Sequence, residues 1–200
     1  MSRIPKPTSG IRRMLLGWRC VLGTIASAVV VLSAISQRAH PATPSELEAV
    51  YLYNFLKFVT WPPEANPPAL PFVICTLGSD DFNGALDAAT SKEPPQGHKV
   101  VIRRLSSIAD AEGCNILFLA PSEEARLSRD LGAIKSKPIL TVSSLPGFLN
   151  HGGMIQFLVE ESRVRFSIDL ARTAEAHLTV SSELLKLAVA VQGKPVEEAK

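Results

Sequence analysis

Short, continuous apolar runs that alternate with helical segments are the feature that most limits what this 200-residue chain can fold into. The apolar runs are "PFVICTLG", "HKVVIRRL", "CNILFLA" and "PILTVSS". Helical patterns lie between them in "DDFNGALDAAT" and "SEEARLSRDLGAI". A strand that is apolar throughout is buried on both faces, as in a parallel sheet covered by helices. The alternation therefore predicts an α/β fold.

Residues 43–61 predict one long buried helix ahead of the first apolar run. Thr43 is followed by Pro44 and then by Glu46, which is the spacing of a capping box with proline in the first turn. A Trp-Pro-Pro sequence ends the helix, and the proline-rich stretch 62–71 is predicted as a surface loop. The apolar stripe of the helix consists of Leu47, Tyr51, Phe55 and Phe58.

A change of period after residue 153 predicts an antiparallel hairpin at one edge of the sheet. Apolar residues occupy every second position on both sides of a polar turn at 160–162. Gly152 and Gly153 turn the chain into this hairpin. The alternating apolar residues are Ile155, Phe157, Val159, Val164, Phe166 and Ile168. The predicted fold class is thus α/β, with a mostly parallel sheet in flavodoxin- or Rossmann-like order, flanking helices and an antiparallel edge hairpin near the C-terminus.

The last predicted element is an amphipathic helix, "ELLKLAVAV", at residues 183–191. Its main stripe consists of Leu184, Leu187, Ala188 and Val191. Leu185 and Val189 lie partly off that stripe, so the apolar arc is wider than one sheet face covers. The excess apolar surface needs a second surface to cover it. A second copy of the chain, contacted through Leu185 and Val189, and the proline-rich loop of the same chain are the two alternatives. Residues 192–200 are predicted to be a disordered tail.

The first 36 residues have the pattern of an export signal. Five basic residues and no acidic residue come first, and the apolar run "CVLGTIASAVVVLSAI" follows. The run is too short for a comfortable membrane span, and Ala34 and Ser36 are small residues that suit cleavage before Gln37. We predict a signal peptide at 1–36 and a single domain at 43–191. An uncleaved N-terminal anchor is the alternative.

Cleavage of the leader would change the charge of the chain. The whole sequence carries 21 Lys and Arg against 19 Asp and Glu, a net charge of +2. Without the five leader cations, 16 cations face 19 carboxylates, a net charge of −3. No basic patch with interleaved aromatic residues remains, so we expect no nucleic-acid partner.

Cys75 and Cys114 are the two cysteines outside the leader, which contains Cys20. Each could be a packed core thiol, a nucleophile, a metal ligand or half of a disulfide, although Cys75 has no base nearby in sequence. Export and an even count favour a disulfide. The Cα atoms of a disulfide lie within about 7 Å. Strands one and three meet that condition only if they are neighbours, as in a flavodoxin-like 2-1-3-4 order.

Catalytic and metal motifs are missing from the sequence. His98, His151 and His177 are scattered, so no zinc spacing is present and we expect no metal and no cofactor. No G-x-S-x-G serine follows a strand, and no set of acid, base and nucleophile is visible. We therefore expect that the protein is not an enzyme.

Five segments together resemble the YfiR family of bacterial periplasmic regulators in order and spacing. They are "YLYNFLKFVTWP", "FVICTLGSDDFNGAL", "CNILFLAPSEE", "ILTVSSLPGFLNHGGMIQFLVEESRVRFSIDL" and "LTVSSELLKLA". Cys75 and Cys114 stand where that family has a recurrent cysteine pair, so the resemblance implies a disulfide between them. Some members have a second pair near the hairpin, where this chain has Leu149 and Gln156.

The resemblance also implies a function. Members of the family are small α/β proteins, often dimeric, that bind the periplasmic sensor domain of an inner-membrane diguanylate cyclase. They hold the cyclase inactive, which lowers cyclic-di-GMP and restrains biofilm formation. The expected location is the periplasm, and the expected partners are such a sensor domain and a second copy of the chain. The alternative is a periplasmic small-molecule-binding accessory of a transporter or sensor kinase.

Four residues are candidates for partner or ligand contact. Trp61 ends a helix before the proline-rich loop, and Trp and Arg are favoured at interface hot spots; a lid on the core is the alternative for Trp61. Arg163 and Arg165 are predicted surface charges, although Arg165 alternates with core residues and could face a pocket. Ser167 stands where the family often has an acidic residue, so the contacts with a cyclase are expected to differ there.

Overall fold

The computed structural model describes residues 42–79, 82, 84–91, 95–161 and 163–193. The predicted leader, its possible cleavage site and residues 194–200 of the predicted tail lie outside this range. None of the helices formed by the described residues is long and apolar enough to cross a membrane.

Helices and short strands alternate through the described chain. The α-helices are α1 (Pro44–Phe58), α2 (Ala85–Thr90), α3 (Leu127–Ala133), α4 (Leu170–Glu175) and α5 (Ser182–Leu187). The strands are β1 (Val59–Thr60), β2 (Phe72–Leu77), β3 (Val100–Leu105), β4 (Ile116–Leu119), β5 (Leu140–Ser143), β6 (Ile155–Glu160), β7 (Arg163–Asp169), β8 (Thr179–Val180) and β9 (Ala190–Gln192). Short 3-10 segments occupy Pro95–Gly97, Ile108–Ala111, Pro121–Arg126 and Phe148–His151.

Seven of these strands form one sheet in the order β3-β2-β4-β5-β6-β7-β9. The strands from β3 to β6 run parallel to their neighbours, and β6 and β7 form an antiparallel hairpin. The predicted α/β class, the 2-1-3-4 order of the first four sheet strands and the antiparallel hairpin are therefore confirmed. A separate antiparallel pair joins β1 to β8.

The C-terminal segment differs from its prediction. Helix α5 ends at Leu187, and Ala188 already has extended backbone angles, with φ −70° and ψ 139°. The Val189 amide then donates a hydrogen bond of 2.9 Å to the Phe166 carbonyl, and β9 pairs in parallel with β7. The prediction of a helix through residue 191 is wrong because the open edge of the hairpin offers hydrogen bonds to β-branched residues that prefer extended backbone. Strand β9, rather than the hairpin, lies at this end of the sheet.

Helix α1 starts as the sequence predicts. The Thr43 amide donates to Glu46 Oε2 at 2.8 Å, and the Glu46 amide donates to Thr43 Oγ1 at 3.3 Å, which completes the capping box. Phe55 is fully buried and lies 5.4 Å from Phe166 between ring centroids, so α1 packs on the hairpin. The other members of the predicted stripe, Leu47, Tyr51 and Phe58, are half-buried and pack against the core.

The sheet divides the core into two layers. On one face, α1 and α5 cover an apolar cluster that includes Ile74, Phe118, Val142 and Phe157. On the other face, α3 and the turn Phe148–His151 cover a cluster that includes Cys75, Leu117, Leu131 and Phe148. Both faces of the central strands are thus buried, as continuous apolar strands require.

Candidate functional site

A disulfide joins Cys75 and Cys114. Cys75 lies in β2 and Cys114 lies two residues before β4, and these strands are neighbours in the sheet, so the Cα atoms are 5.9 Å apart. Both residues are buried in the apolar layer under α3. The roles of free core thiol, nucleophile and metal ligand therefore do not apply to the paired cysteines.

Trp61 is a core residue, not a surface anchor. Only 5% of it is exposed, and its ring centroid lies 5.5 Å from that of Phe72. Its indole Nε1–H donates a hydrogen bond of 3.2 Å to the Asn115 carbonyl. The expectation of an exposed partner contact is wrong here, and the alternative of a lid on the core describes the position. Burial is favourable because the indole N–H finds an acceptor.

Arg163 and Arg165 project from the exposed face of the hairpin. They alternate with the buried residues Val164 and Phe166 along β7, so both side chains point away from α1 and into solvent. In the register of the hairpin, Arg163 is opposite Glu160 and Arg165 is opposite Leu158. Neither arginine makes an ion pair within the described part of the chain. We call this pair the hairpin arginines.

Ser167 lies on the same side of β7 as the hairpin arginines but is largely covered. It is paired with Gln156 on β6 and with Ala190 on β9, and only 9% of it is exposed. A partner contact through Ser167 would therefore be small. Ser167 thus lies between β6 and β9, and the sequence did not predict β9.

Exposed apolar side chains lie beside β9. Leu187, Val189 and Val191 are 61%, 47% and 44% exposed. We call these three residues the C-terminal apolar strip. Leu185, by contrast, is half-buried and packs against the core. The two predicted dimer residues therefore differ: Val189 is available for contact, whereas Leu185 mainly supports the fold. The expected single helical stripe is wrong because the chain leaves the helix after Leu187.

Several clefts open on the surface of the described residues. A smaller cleft of about 210 Å³ lies between α3 and α4, with Lys135, Thr141 and Arg172 in its lining. A larger groove of about 670 Å³ lies where β2, β4 and β5 begin. We call it the amino-end groove. Its lining includes Asn115, which the sequence reasoning did not single out.

Groups of at least three His, Cys, Asp or Glu residues that could hold a metal ion are absent from the described part of the chain. Three histidines were considered as ligands. Nδ1 of His98 lies 2.8 Å from the Leu70 carbonyl oxygen. Nδ1 of His151 lies 3.0 Å from Ser128 Oγ. His177 follows α4 and is exposed. The three rings therefore belong to separate parts of the fold.

The fold defines a class of protein: a doubly wound α/β domain with a disulfide between neighbouring strands. A family model described as YfiR/HmsC-like matches residues 45–189. The chain belongs to the YfiR/HmsC-like family.

Two solved structures are similar to this chain at low sequence identity. A conserved domain protein from Vibrio cholerae O1 biovar El Tor str. N16961 is similar with a TM-score of 0.50 and 11% identity. The match covers 75% of this chain and 60% of that chain, so this chain spans less than two thirds of its relative. The ABC domain from Streptococcus pneumonia in complex with L-Trp matches with a TM-score of 0.49, 13% identity, and coverage of 74% and 60%. No curated protein matches the chain significantly.

Proposed function

We propose that this protein is a periplasmic regulator that represses an inner-membrane diguanylate cyclase by binding the sensor domain of that cyclase. Membership in the YfiR/HmsC-like family over residues 45–189 carries the proposal. The Cys75–Cys114 disulfide supports an oxidising compartment, since disulfides persist in the periplasm and are rare in the cytosol. Repression would act by contact and would lower cyclic-di-GMP, with no reaction catalysed by the regulator.

The contact surface that we propose is the outer end of the hairpin. Arg163 and Arg165 are exposed cations without an internal ion pair among the described residues, and arginine is enriched at interface hot spots. Neither charge would have to leave an intramolecular partner in order to bind. A cationic surface of this kind would suit an acidic patch on a sensor domain.

The experiment is a charge reversal at the hairpin arginines. Cells would carry a membrane diguanylate cyclase whose gene lies beside the gene of this protein and whose sensor domain is periplasmic. The Arg163→Glu, Arg165→Glu variant should raise cellular cyclic-di-GMP to the level of cells without the regulator. Cyclic-di-GMP is measured by mass spectrometry in cell extracts.

The matched control is Lys99→Glu, which reverses an exposed charge just before β3 at the opposite edge of the sheet. Lys99→Glu should repress like the unmodified protein, and circular dichroism should show both variants folded. Full repression by the arginine variant would eliminate the hairpin surface. A lack of repression by the unmodified protein against this cyclase would count against the proposed function.

We also propose a homodimer that uses the C-terminal apolar strip. Three neighbouring apolar side chains that solvent reaches are unfavourable on a monomer, and a two-fold contact would cover the same strip on both copies. Val189 belongs to this surface. Leu185 would affect the dimer only indirectly, through the packing of α5.

A second candidate function is that of a small-molecule-binding accessory of a transporter or sensor kinase. The observation that favours it is the amino-end groove, whose volume of about 670 Å³ is typical of ligand sites. Repression of the cyclase by this protein would not exclude that a ligand binds in the amino-end groove. A cyclase gene beside the gene of this protein would favour the first function, and a transporter or kinase gene in that place would favour the second.

A further inference from the structure

The amino-end groove crosses the beginnings of three adjacent strands. Leu70 and Pro71 precede β2, Asn115 precedes β4, and Pro138 and Ile139 precede β5. Neighbouring strands lie about 4.8 Å apart, so the groove spans about 10 Å between the outer two strands. A groove of this form suits an elongated ligand that lies across the strand ends.

Asn115 is held in this groove by four hydrogen bonds. Its amide donates to the Val73 carbonyl at 2.9 Å, and its carbonyl accepts from the Leu140 amide at 2.8 Å and from Trp61 Nε1 at 3.2 Å. Its side-chain Oδ1 accepts from the Val73 amide at 2.7 Å. The adjoining Cys114 is fixed by the disulfide. The position and orientation of the Asn115 side chain are therefore set before any ligand arrives.

One polar group of Asn115 is left over. With Oδ1 engaged, the Nδ2 group supplies two N–H donors. None of the described residues accepts a hydrogen bond from it. Asn115 as a whole residue is only 4% exposed, but Nδ2 is not one of the buried side-chain atoms that lack a partner, so solvent reaches this group through the groove. The Nδ2 group in the lining of the groove is therefore positioned to donate to an acceptor that enters, such as a carbonyl oxygen.

The other residues that line the groove indicate the chemistry of the ligand that it would bind. Leu70, Val73 and Ile139 form apolar walls, and prolines at 67, 71 and 138 make those walls stiff and poor in N–H donors. The charged residues of the groove are Glu64, Glu112 and Lys137, which give it a net charge of −1. An apolar group with cationic neighbours and a carbonyl oxygen complements these features.

We propose that the amino-end groove binds an extended peptide segment with an apolar residue between basic residues, one of whose backbone carbonyls accepts a hydrogen bond from Asn115 Nδ2. Extended chain advances about 3.3 Å per residue, so three residues cover the 10 Å between the outer strands. The apolar side chain packs between Leu70 and Ile139, and the basic side chains lie near Glu64 and Glu112. This inference stands apart from the proposed repression, because it rests on the groove alone.

The test uses the purified protein, labelled with 15N, and the pentapeptide acetyl-Ala-Lys-Leu-Lys-Ala-amide. Titration followed by NMR should shift the side-chain amide resonances of Asn115 and the backbone amide of Val73. L-leucinamide, which carries one cation, one carbonyl and the same apolar side chain, serves as the small-molecule probe. The pentapeptide should bind at least about fivefold more tightly, because it contacts all three strand beginnings.

Three variants separate the contributions of the groove. Asn115→Asp keeps an oxygen for the Val73 amide, removes the donors and places a carboxylate against the peptide carbonyl. The lost hydrogen bond and this repulsion should outweigh the added attraction to the lysines, which lie nearer Glu64 and Glu112, so binding should weaken about tenfold. Glu112→Gln removes an exposed rim charge and should weaken binding about two- to fivefold. Glu124→Gln removes an exposed charge outside the groove and should leave binding unchanged. Circular dichroism establishes that each variant is folded; if Asn115→Asp does not fold, Leu70→Ser replaces it and should also weaken binding.

Each result decides the proposal. Shifts confined to the groove, with the stated order of affinities, support a peptide site. An absence of Asn115 side-chain shifts at millimolar pentapeptide overturns it. Equal affinity for leucinamide and the pentapeptide would mark a small-molecule site and also overturns the proposal. The proposal is likewise overturned if Glu112→Gln and Asn115→Asp both bind the pentapeptide as tightly as the unmodified protein does.

Discussion

Cys75 and Cys114 form the one covalent cross-link among the described residues, and its place in the sheet decides what it stabilises. It ties the middle of β2 to the approach of β4 and closes a loop that contains α2 and β3. A loop of about 40 residues corresponds to roughly 3–4 kcal/mol of stabilisation in the chain-entropy model. The disulfide therefore joins the second and third strands of the seven-stranded sheet, close to the β3 edge.

The disulfide leads to a prediction at the residue scale. The exported protein, denatured without reductant, should react with no maleimide at positions 75 and 114, and mass spectrometry would detect any label. Replacing both cysteines by alanine should lower the melting temperature by roughly 6–16 °C and leave a folded domain, because about 160 residues bury a sufficient core. Labels on both cysteines of the unreduced protein would contradict the prediction.

Trp61 and Asn115 show how a residue's role can depend on a distant partner. Fifty-four positions separate them in the chain, yet the indole N–H of Trp61 donates to the Asn115 carbonyl. That bond satisfies the buried indole N–H of Trp61 and contributes to the fixed position of Asn115. The sequence around Trp61 and the sequence around Asn115 do not predict this hydrogen bond.

At the scale of elements, two glycines differ in the space available for a side chain. A Cβ on Gly153 would collide with the ring of Phe148, which is fully buried in the turn below α3. Gly132 lies inside α3, and a Cβ there would meet no atom within 4 Å. The first glycine is required by close packing, whereas the second only increases the flexibility of a helix.

Alanine at each position should therefore change stability in opposite directions. Gly153→Ala should lower the free energy of unfolding by about 1–3 kcal/mol, because the Phe148 ring has no space to move into. Gly132→Ala should raise it by about 0.5–1 kcal/mol, because alanine favours the helix. Urea unfolding followed by circular dichroism measures both. A Gly153→Ala protein as stable as the unmodified one would show that the turn can yield.

At the scale of the whole molecule, the C-terminal apolar strip leads to a prediction about assembly. One chain without its leader has a mass of about 18 kDa from average residue masses of about 110 Da. Light scattering at micromolar concentration should give twice that mass. Val189→Glu should reduce it to about 18 kDa, because a charge would be buried in the two-fold contact.

Lys186→Glu is the control for assembly, since it changes an exposed residue of α5 beside the strip. It should keep the dimer. A mass near 18 kDa for the unmodified protein would remove the dimer proposal, and a dimer that survives Val189→Glu would place the interface elsewhere.

Local sequence determined most of the architecture. Continuous apolar runs specified buried parallel strands, and strict alternation specified the hairpin, because side-chain period and burial are properties of a short stretch of chain. The capping box of α1 could be read directly, since Thr43 and Glu46 satisfy backbone groups within one turn. The hairpin arginines follow from the same alternation.

Only the tertiary structure decided the remaining features, because each depends on residues far apart in sequence. Residues 188–192 contain apolar side chains that suit a helix or a strand, and the free edge of β7 selected the strand. Trp61 can be buried in the core because the Asn115 carbonyl accepts a hydrogen bond from its indole N–H. The amino-end groove exists because the predicted sheet order brings the beginnings of β2, β4 and β5 together, but no local pattern shows which side chains of the preceding loops meet there.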